Sequence, residues 1–228
     1  MAFFIVLAVT AALSVALADA IRKVPWLFYA LAVVAVAVLF AGVYDVIDGG
    51  WWKPLILLVR RCMVALALFT VVMFIGVLPK DSKLGLRMRS VRAELSIIAW
   101  ILCMGHMCMY LAPYGARALS GSLQANIMTS FAVALVLFVL LLILGVTSFG
   151  FVKKHMHART WKRVQQLAYP FFLLTYVHLM FMLAPSALAG GTSSMVGIAV
   201  YSVVFVAYLV GRLWRYAADR KAEAASAA

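Results

Sequence analysis

Long apolar stretches dominate the chain, and short polar or charged segments separate them. Each stretch is close to the ~20 residues that an α-helix needs to cross ~30 Å of hydrocarbon. We predict seven such spans, at residues 2–18, 26–44, 55–78, 93–113, 126–150, 163–184 and 195–214. Proline often marks a helix boundary, so we expect ends near Pro25, Pro79, Pro113 and Pro185. The pattern predicts an all-α fold, a polytopic membrane helix bundle.

The first predicted span is short, and Ser14–Ala18 is similar to a signal-peptidase site. No positive charge precedes this apolar stretch, as a signal peptide would require. We therefore predict a retained helix. Residues 1–53 then form two additional N-terminal transmembrane helices, 54–216 form the main bundle, and 217–228 form a short cytoplasmic tail.

Composition supports a membrane protein, with 67% hydrophobic and 12% charged residues. A soluble domain has about half apolar and about a quarter charged residues. No glycine-rich nucleotide-binding loop occurs in the sequence, so we expect no flavin or nicotinamide domain here.

The net charge of +13 has a topological explanation. Sixteen of the 20 basic residues fall in the first, third and fifth connections or after the last span. Basic residues concentrate on the cytoplasmic side, so we predict an external N-terminus and a cytoplasmic C-terminus. The excess of basic residues on this side favours contact with anionic lipid headgroups and gives no reason to expect nucleic acid as a partner. The chain is predicted to be a multi-pass protein of the cytoplasmic (inner) membrane.

Two predicted spans contain a similar segment, His106-Met-Cys-Met-Tyr-Leu-Ala-Pro113 and His178-Leu-Met-Phe-Met-Leu-Ala-Pro185. Both spans run outward in the predicted topology, so each imidazole lies ~10 Å from the external proline. Ionisable side chains at membrane depth are usually functional, and two at one depth could be axial ligands of a haem. In the alternative, each histidine only hydrogen-bonds a neighbouring helix. The residues alone leave both interpretations open.

Arg60 and Arg61 lie near the external end of the third predicted span. A haem in the outer half would carry its propionates near this level, and arginine binds carboxylates bidentately. Snorkelling to external headgroups is the alternative. The three cysteines are expected to act as small apolar residues, and His155 and His157 to lie in a solvated internal loop.

The segment from Pro54 to Met182 resembles the ferric reductase-like transmembrane domain superfamily. The resemblance is carried by the arginine-bearing third span, by the order of the spans, and by the sequences that lead to each histidine. These sequences are Arg89-Ser-Val-Arg-Ala-Glu-Leu-Ser-Ile-Ile-Ala-Trp100 and Arg159-Thr-Trp-Lys-Arg-Val-Gln-Gln-Leu-Ala-Tyr169. Within the superfamily, the chain is most similar to the haem-binding membrane subunits of methionine-sulfoxide reductase systems.

This resemblance implies one b-type haem, with His106 and His178 as its iron ligands, and electron transfer together with a partner protein. Two-haem members carry a second histidine thirteen or fourteen residues earlier on each helix. Those positions hold Arg92 or Ala93 and Val164 or Gln165 here, so we expect no inner haem.

The leading hypothesis is a membrane b-type cytochrome subunit, part of an oxidoreductase and not a complete enzyme. It would pass electrons from a quinol or a partner to an extracytoplasmic acceptor. The alternative is a haem-free membrane anchor or transporter subunit. A rhodopsin is excluded, because residues 195–214 contain no lysine for retinal attachment.

Overall fold

A computed structural model describes residues 2–47, 50 and 53–227. It is 85% helical, and no strand occurs among the described residues. The helices are α1 (Ala2–Ala16), α2 (Ala18–Lys23), α3 (Pro25–Val43), α4 (Lys53–Arg60), α5 (Met63–Ile75), α6 (Lys83–Arg89), α7 (Arg92–Leu119), α8 (Ala125–Ser148), α9 (Gly150–Lys153), α10 (Ala158–Gln165), α11 (Ala168–Leu188) and α12 (Thr192–Ala227). The predicted all-α fold is confirmed.

Among the residues that the structure describes, five helical segments are long and apolar enough to cross a membrane. They are Pro25–Val43, Arg92–Leu119, Ala125–Ser148, Ala158–Leu188 and Thr192–Ala222. Two shorter apolar helices, Ala2–Ala16 and Met63–Ile75, coincide with the first and third predicted spans. The chain is a multi-pass membrane protein.

The prolines mark helix boundaries less often than expected. Pro25 does begin α3, but Pro113 lies inside α7 and Pro185 lies inside α11. Membrane helices tolerate interior proline because nearby groups satisfy the freed carbonyl. Both helices therefore continue by a turn or more past the expected ends. The sixth predicted span is interrupted by a break at residues 166–167, between α10 and α11.

The third predicted span is not one continuous helix. A turn at Arg61 and Cys62 separates α4 from α5, and Cys62 adopts the left-handed conformation with φ 56°. This conformation costs a non-glycine residue about 1–3 kcal/mol. The continuous helix was predicted because Arg-Arg-Cys carries neither glycine nor proline to signal a break.

Helix α5 occupies the middle of the bundle and packs against α1 and α7. Helix α8 packs against both α7 and α11, and α11 also packs against α12. Small residues allow close approach between helices, as is common in membranes. The position of a Cβ on Gly105 of α7 would lie only 2.7 Å from Val36 Cγ2 of α3.

Basic segments that are distant in sequence meet at one end of the bundle. Arg87 pairs with Asp19 at 2.9 Å, which joins α6 to α2. Lys80 pairs with Asp219 at 3.3 Å, which joins the segment after α5 to the end of α12. Arg212 of α12 also donates to the Gly76 carbonyl, at 3.2 Å. The first and third connections and the C-terminal segment therefore share one end of the bundle.

Candidate functional site

His106 is held in place by a backbone carbonyl from a different helix. Its Nδ1 lies 2.7 Å from the carbonyl oxygen of Arg60. Arg60 is the last residue of α4, and the turn through Cys62 separates it from α5. No backbone N–H in the described residues bonds to this carbonyl. The helix break thus provides a free acceptor of the kind expected at a helix C-terminus.

His178 is held by Ser130 of α8. Its Nδ1 lies 3.1 Å from the Ser130 carbonyl oxygen and 3.0 Å from the Ser130 hydroxyl. Ser130 is only 1% exposed, so its polar atoms are enclosed between α8 and α11.

The two histidines share one kind of contact, a backbone carbonyl oxygen at hydrogen-bonding distance from Nδ1, and His178 has the Ser130 hydroxyl in addition. A carbonyl oxygen can only accept, so each of these two contacts is a hydrogen bond in the tautomer that carries its proton on Nδ1. In a neutral imidazole the lone pair then lies on Nε2. Metal-ligating histidines characteristically donate their other ring N–H to a carbonyl or carboxylate, which fixes the tautomer. Both His106 and His178 have a ligating nitrogen available in this arrangement.

The two histidines lie on helices that share a neighbour. Helix α8 packs against both of the helices that carry them, whereas α7 and α11 make no extended contact with one another in the described residues. Helix α8 therefore connects the two helices that carry the histidines.

Aromatic rings extend from His106 along α7 towards α8. The His106 and Tyr110 ring centroids are 4.9 Å apart, and those of Tyr110 and Tyr114 are 5.8 Å apart. Tyr114 stacks on Phe131 at 6.4 Å. Phe131 adjoins Ser130 in sequence, so this row of rings runs between the surroundings of the two histidines.

The side chains of Arg60 and Arg61 are exposed, and no hydrogen bond or salt bridge of either guanidinium occurs among the described residues. Their proposed contact with haem propionates stays a prediction. The Arg60 atom that the structure does bring to the site is its backbone carbonyl oxygen, which the sequence did not reveal.

Two further features bear on metal chemistry. Cys62 Sγ lies 3.7 Å from Cys103 Sγ, and all three cysteines are free thiols. In the part of the chain that the structure describes, no group of three or more His, Cys, Asp or Glu side chains could hold a metal ion.

Sequence reasoning overlooked Ser130. Its signal was a polar residue inside an apolar span, in Asn126-Ile-Met-Thr-Ser130. Serine in a membrane helix often bonds its own helix backbone, so the pattern alone did not point to His178.

Comparison with known proteins gives a family for this arrangement. The model of the family described as "Ferric reductase like transmembrane component" matches residues 61–176, about half of the chain. This region includes His106 and ends two residues before His178. An "Uncharacterized protein" of Treponema pallidum (strain Nichols) is 44% identical over 157 residues, which are 68% of this chain and 43% of that protein. The chain thus spans less than half the length of this relative. No solved structure matches the chain significantly.

Proposed function

Because the chain belongs to the ferric reductase-like transmembrane family, we propose that it is the haem-carrying subunit of a membrane electron-transfer system. One b-type haem would be held by His106 and His178. The observation that carries this proposal is that Nδ1 of both histidines meets a backbone carbonyl, at 2.7 Å and 3.1 Å, which leaves both Nε2 atoms free to ligate.

These residues fit a haem better than they fit a metal ion bound by side chains alone. Two neutral imidazoles on separate helices of one bundle match bis-histidine ligation. The bound haem would supply a one-electron carrier within the membrane. The chain's own residues hold the rings in one tautomer, and the apolar helices around them exclude water.

We propose that the chain crosses the membrane seven times, with the N-terminus outside and the C-terminus in the cytoplasm. The two shorter apolar helices, Ala2–Ala16 and Met63–Ile75, supply the two crossings beyond the five long ones. The ion pairs from Asp19 to Arg87 and from Lys80 to Asp219 support a shared cytoplasmic end. This end carries most of the basic residues, as the positive-inside rule requires. The corresponding location is the cytoplasmic (inner) membrane.

The proposed electron donor is inferred from the lack of a second histidine pair in the inner half of the membrane. Two-haem proteins carry histidines at the positions of Arg92 or Ala93 and of Val164 or Gln165, and none of these residue types is a usual haem ligand. A quinol that enters from the lipid is therefore the proposed donor. The proposed acceptor is an extracytoplasmic redox protein, as in the methionine-sulfoxide reductase systems that the sequence resembles.

The test is the absorption spectrum of the purified protein. We expect a Soret band that sharpens and shifts on dithionite reduction. His106→Ala and His178→Ala should each abolish the low-spin spectrum, because each removes one axial ligand. His155→Ala and His157→Ala are matched controls outside the long apolar helices and should keep it. A colourless wild type that takes up no added haem would eliminate the proposal.

A further inference from the structure

A small, partly polar cavity lies on the basic-end side of the histidine pair. Its volume is about 60 Å³, and Arg92, Ser96, Trp100, Ser148 and Gln165 contribute its polar groups. A water needs about 10–15 Å³ by this measure, so the cavity has room for roughly four to six waters. That space suits a single substituted ring and is far too small for a haem.

Trp100 contributes a buried donor that has no acceptor. In the described part of the chain, its Nε1 is buried without a hydrogen-bond partner. The indole nitrogen packs against Gly145 of α8, where a Cβ would approach it closely. Both residues line the cavity. Buried polar groups in native proteins are nearly always satisfied, so an orphan donor beside a cavity indicates a missing acceptor.

The other polar groups suit a ring that can both accept and donate. The Arg92 guanidinium is a donor. The hydroxyls of Ser96 and Ser148 donate to the carbonyls of Arg92 and Leu144, which leaves their oxygen lone pairs free to accept. Gln165 donates through Nε2 to Thr147, which leaves its amide oxygen free. A quinone carbonyl needs donors and a quinol hydroxyl needs an acceptor, and this lining offers both.

An apolar groove reaches the same tryptophan from the outside of the bundle. The groove has a volume of about 280 Å³ between α3 and α7, and its lining includes Val33, Phe40, Met104 and Trp100. Val33 is 54% exposed, so this side faces lipid in a membrane-spanning bundle. Trp100 therefore borders both a polar cavity and a lipid-facing apolar groove.

From these features we propose that the cavity is the electron-entry site and binds the ring of a membrane quinol. The groove would hold the first part of its apolar tail. This inference rests on the proposed function and assigns residues to its donor. Oxidation there breaks the two O–H bonds of the quinol and gives quinone, two protons released to water, and two electrons. The two electrons leave one at a time, and each goes to an oxidised one-electron carrier.

The first experiment measures binding and needs no haem. An azido-ubiquinone analogue would be photolysed with the full chain in lipid nanodiscs, with and without excess decylubiquinone. We expect competable labelling on peptides that contain Trp100, Ser148 or Gln165. Labelling elsewhere only, or labelling that decylubiquinone does not suppress, would overturn the assignment.

The second experiment measures haem reduction by decylubiquinol in the same nanodiscs. Trp100→Phe removes one donor and should weaken quinone binding by up to about tenfold, the effect of one lost hydrogen bond. Ser148→Leu fills the cavity and should slow reduction at least as much. Dithionite should still reduce the haem fully in both variants.

Matched controls separate the cavity from general damage. Trp161→Phe also removes an indole N–H, but that group donates to the Thr147 carbonyl at 2.9 Å and lies outside the cavity lining. Ser193→Leu makes the same substitution as Ser148→Leu near the start of α12. In both control variants, decylubiquinol should reduce the haem at the wild-type rate. Cavity variants with unchanged quinol-driven rates would refute the proposal.

Two outcomes distinguish this inference from the function on which it rests. If reduced flavin but not decylubiquinol reduces the haem, the cavity assignment fails while the haem subunit stands. If the protein takes up no haem, the proposed function fails, and the photolabelling result alone decides whether the cavity binds a quinone.

Discussion

Replacing Gly105 with alanine should disturb the histidine pair without touching either ring. A Cβ at residue 105 would lie 2.7 Å and 2.8 Å from the two Cγ atoms of Val36. Valine is restricted to one main rotamer in a helix, so its side chain cannot rotate away. The helices must separate instead, by about 1 Å to reach an ordinary contact, and such overpacking typically costs about 1–3 kcal/mol.

The displacement occurs directly beside a functional contact. His106 follows Gly105 in the chain, and its Nδ1 lies 2.7 Å from the Arg60 carbonyl oxygen. Hydrogen bonds of this type are lost beyond about 3.2 Å, so a shift of that size at residue 105 is enough to break this one. We expect lower haem content in Gly105→Ala, and loss of the Soret band at a lower temperature than in wild type.

A double variant makes this argument specific. Val36→Ala removes both Cγ atoms, so Val36→Ala with Gly105→Ala should recover haem content and thermal stability. The coupling expected between two residues in contact is about 0.5–3 kcal/mol. Gly115→Ala is the matched control on α7, because its Cβ would meet only Phe131 Cζ at 4.0 Å. If Gly105→Ala behaves like Gly115→Ala, or if the double variant recovers nothing, the helix packing does not position His106.

Three further predictions concern the same site. A pyridine haemochrome assay should give one haem per chain, and two would mean that a second ligand pair exists. Arg60→Gln and Arg61→Gln should each lower the haem midpoint potential, because a nearby positive charge favours the more negatively charged reduced state; unchanged midpoints in a redox titration would mean that both side chains only reach lipid headgroups. Cys62→Gly should keep the haem and Cys62→Val should lose it, because a β-branched residue is strongly disfavoured at φ 56°; equal haem content in both would show that the left-handed turn does not matter.

The long apolar helices could be predicted from the sequence because their signal is strong and local. A stretch of about twenty apolar residues leaves a membrane helix as the main option. Helices α3, α8 and α12 are predicted in this way, and their observed starts lie within three residues of the predicted ones. The predicted ends of α7 and α11 lie too early in the chain because proline usually ends a helix in a soluble protein. In a membrane bundle, neighbouring groups satisfy the freed carbonyl, so these helices continue past proline.

The contacts that hold the site could not be predicted, because they depend on which helices become neighbours. The repeated His-to-Pro segments pointed to His106 and His178 through a local pattern. Nothing local relates His178 to Ser130, which lies 48 residues away, or His106 to the carbonyl of Arg60, 46 residues away. The break at Cys62 is similar, since a left-handed cysteine persists only where surrounding packing imposes it.

The break between α4 and α5 determines a contact of the histidine on α7. A continuous helix would use the Arg60 carbonyl for its own i to i+4 hydrogen bond. The turn frees this oxygen, and His106 takes it. Helix α7, which carries His106, also carries Trp100 six residues earlier, about 9 Å along the helix axis. One helix therefore fixes both the proposed entry point for electrons and one proposed ligand of the carrier, at a separation set by helix geometry.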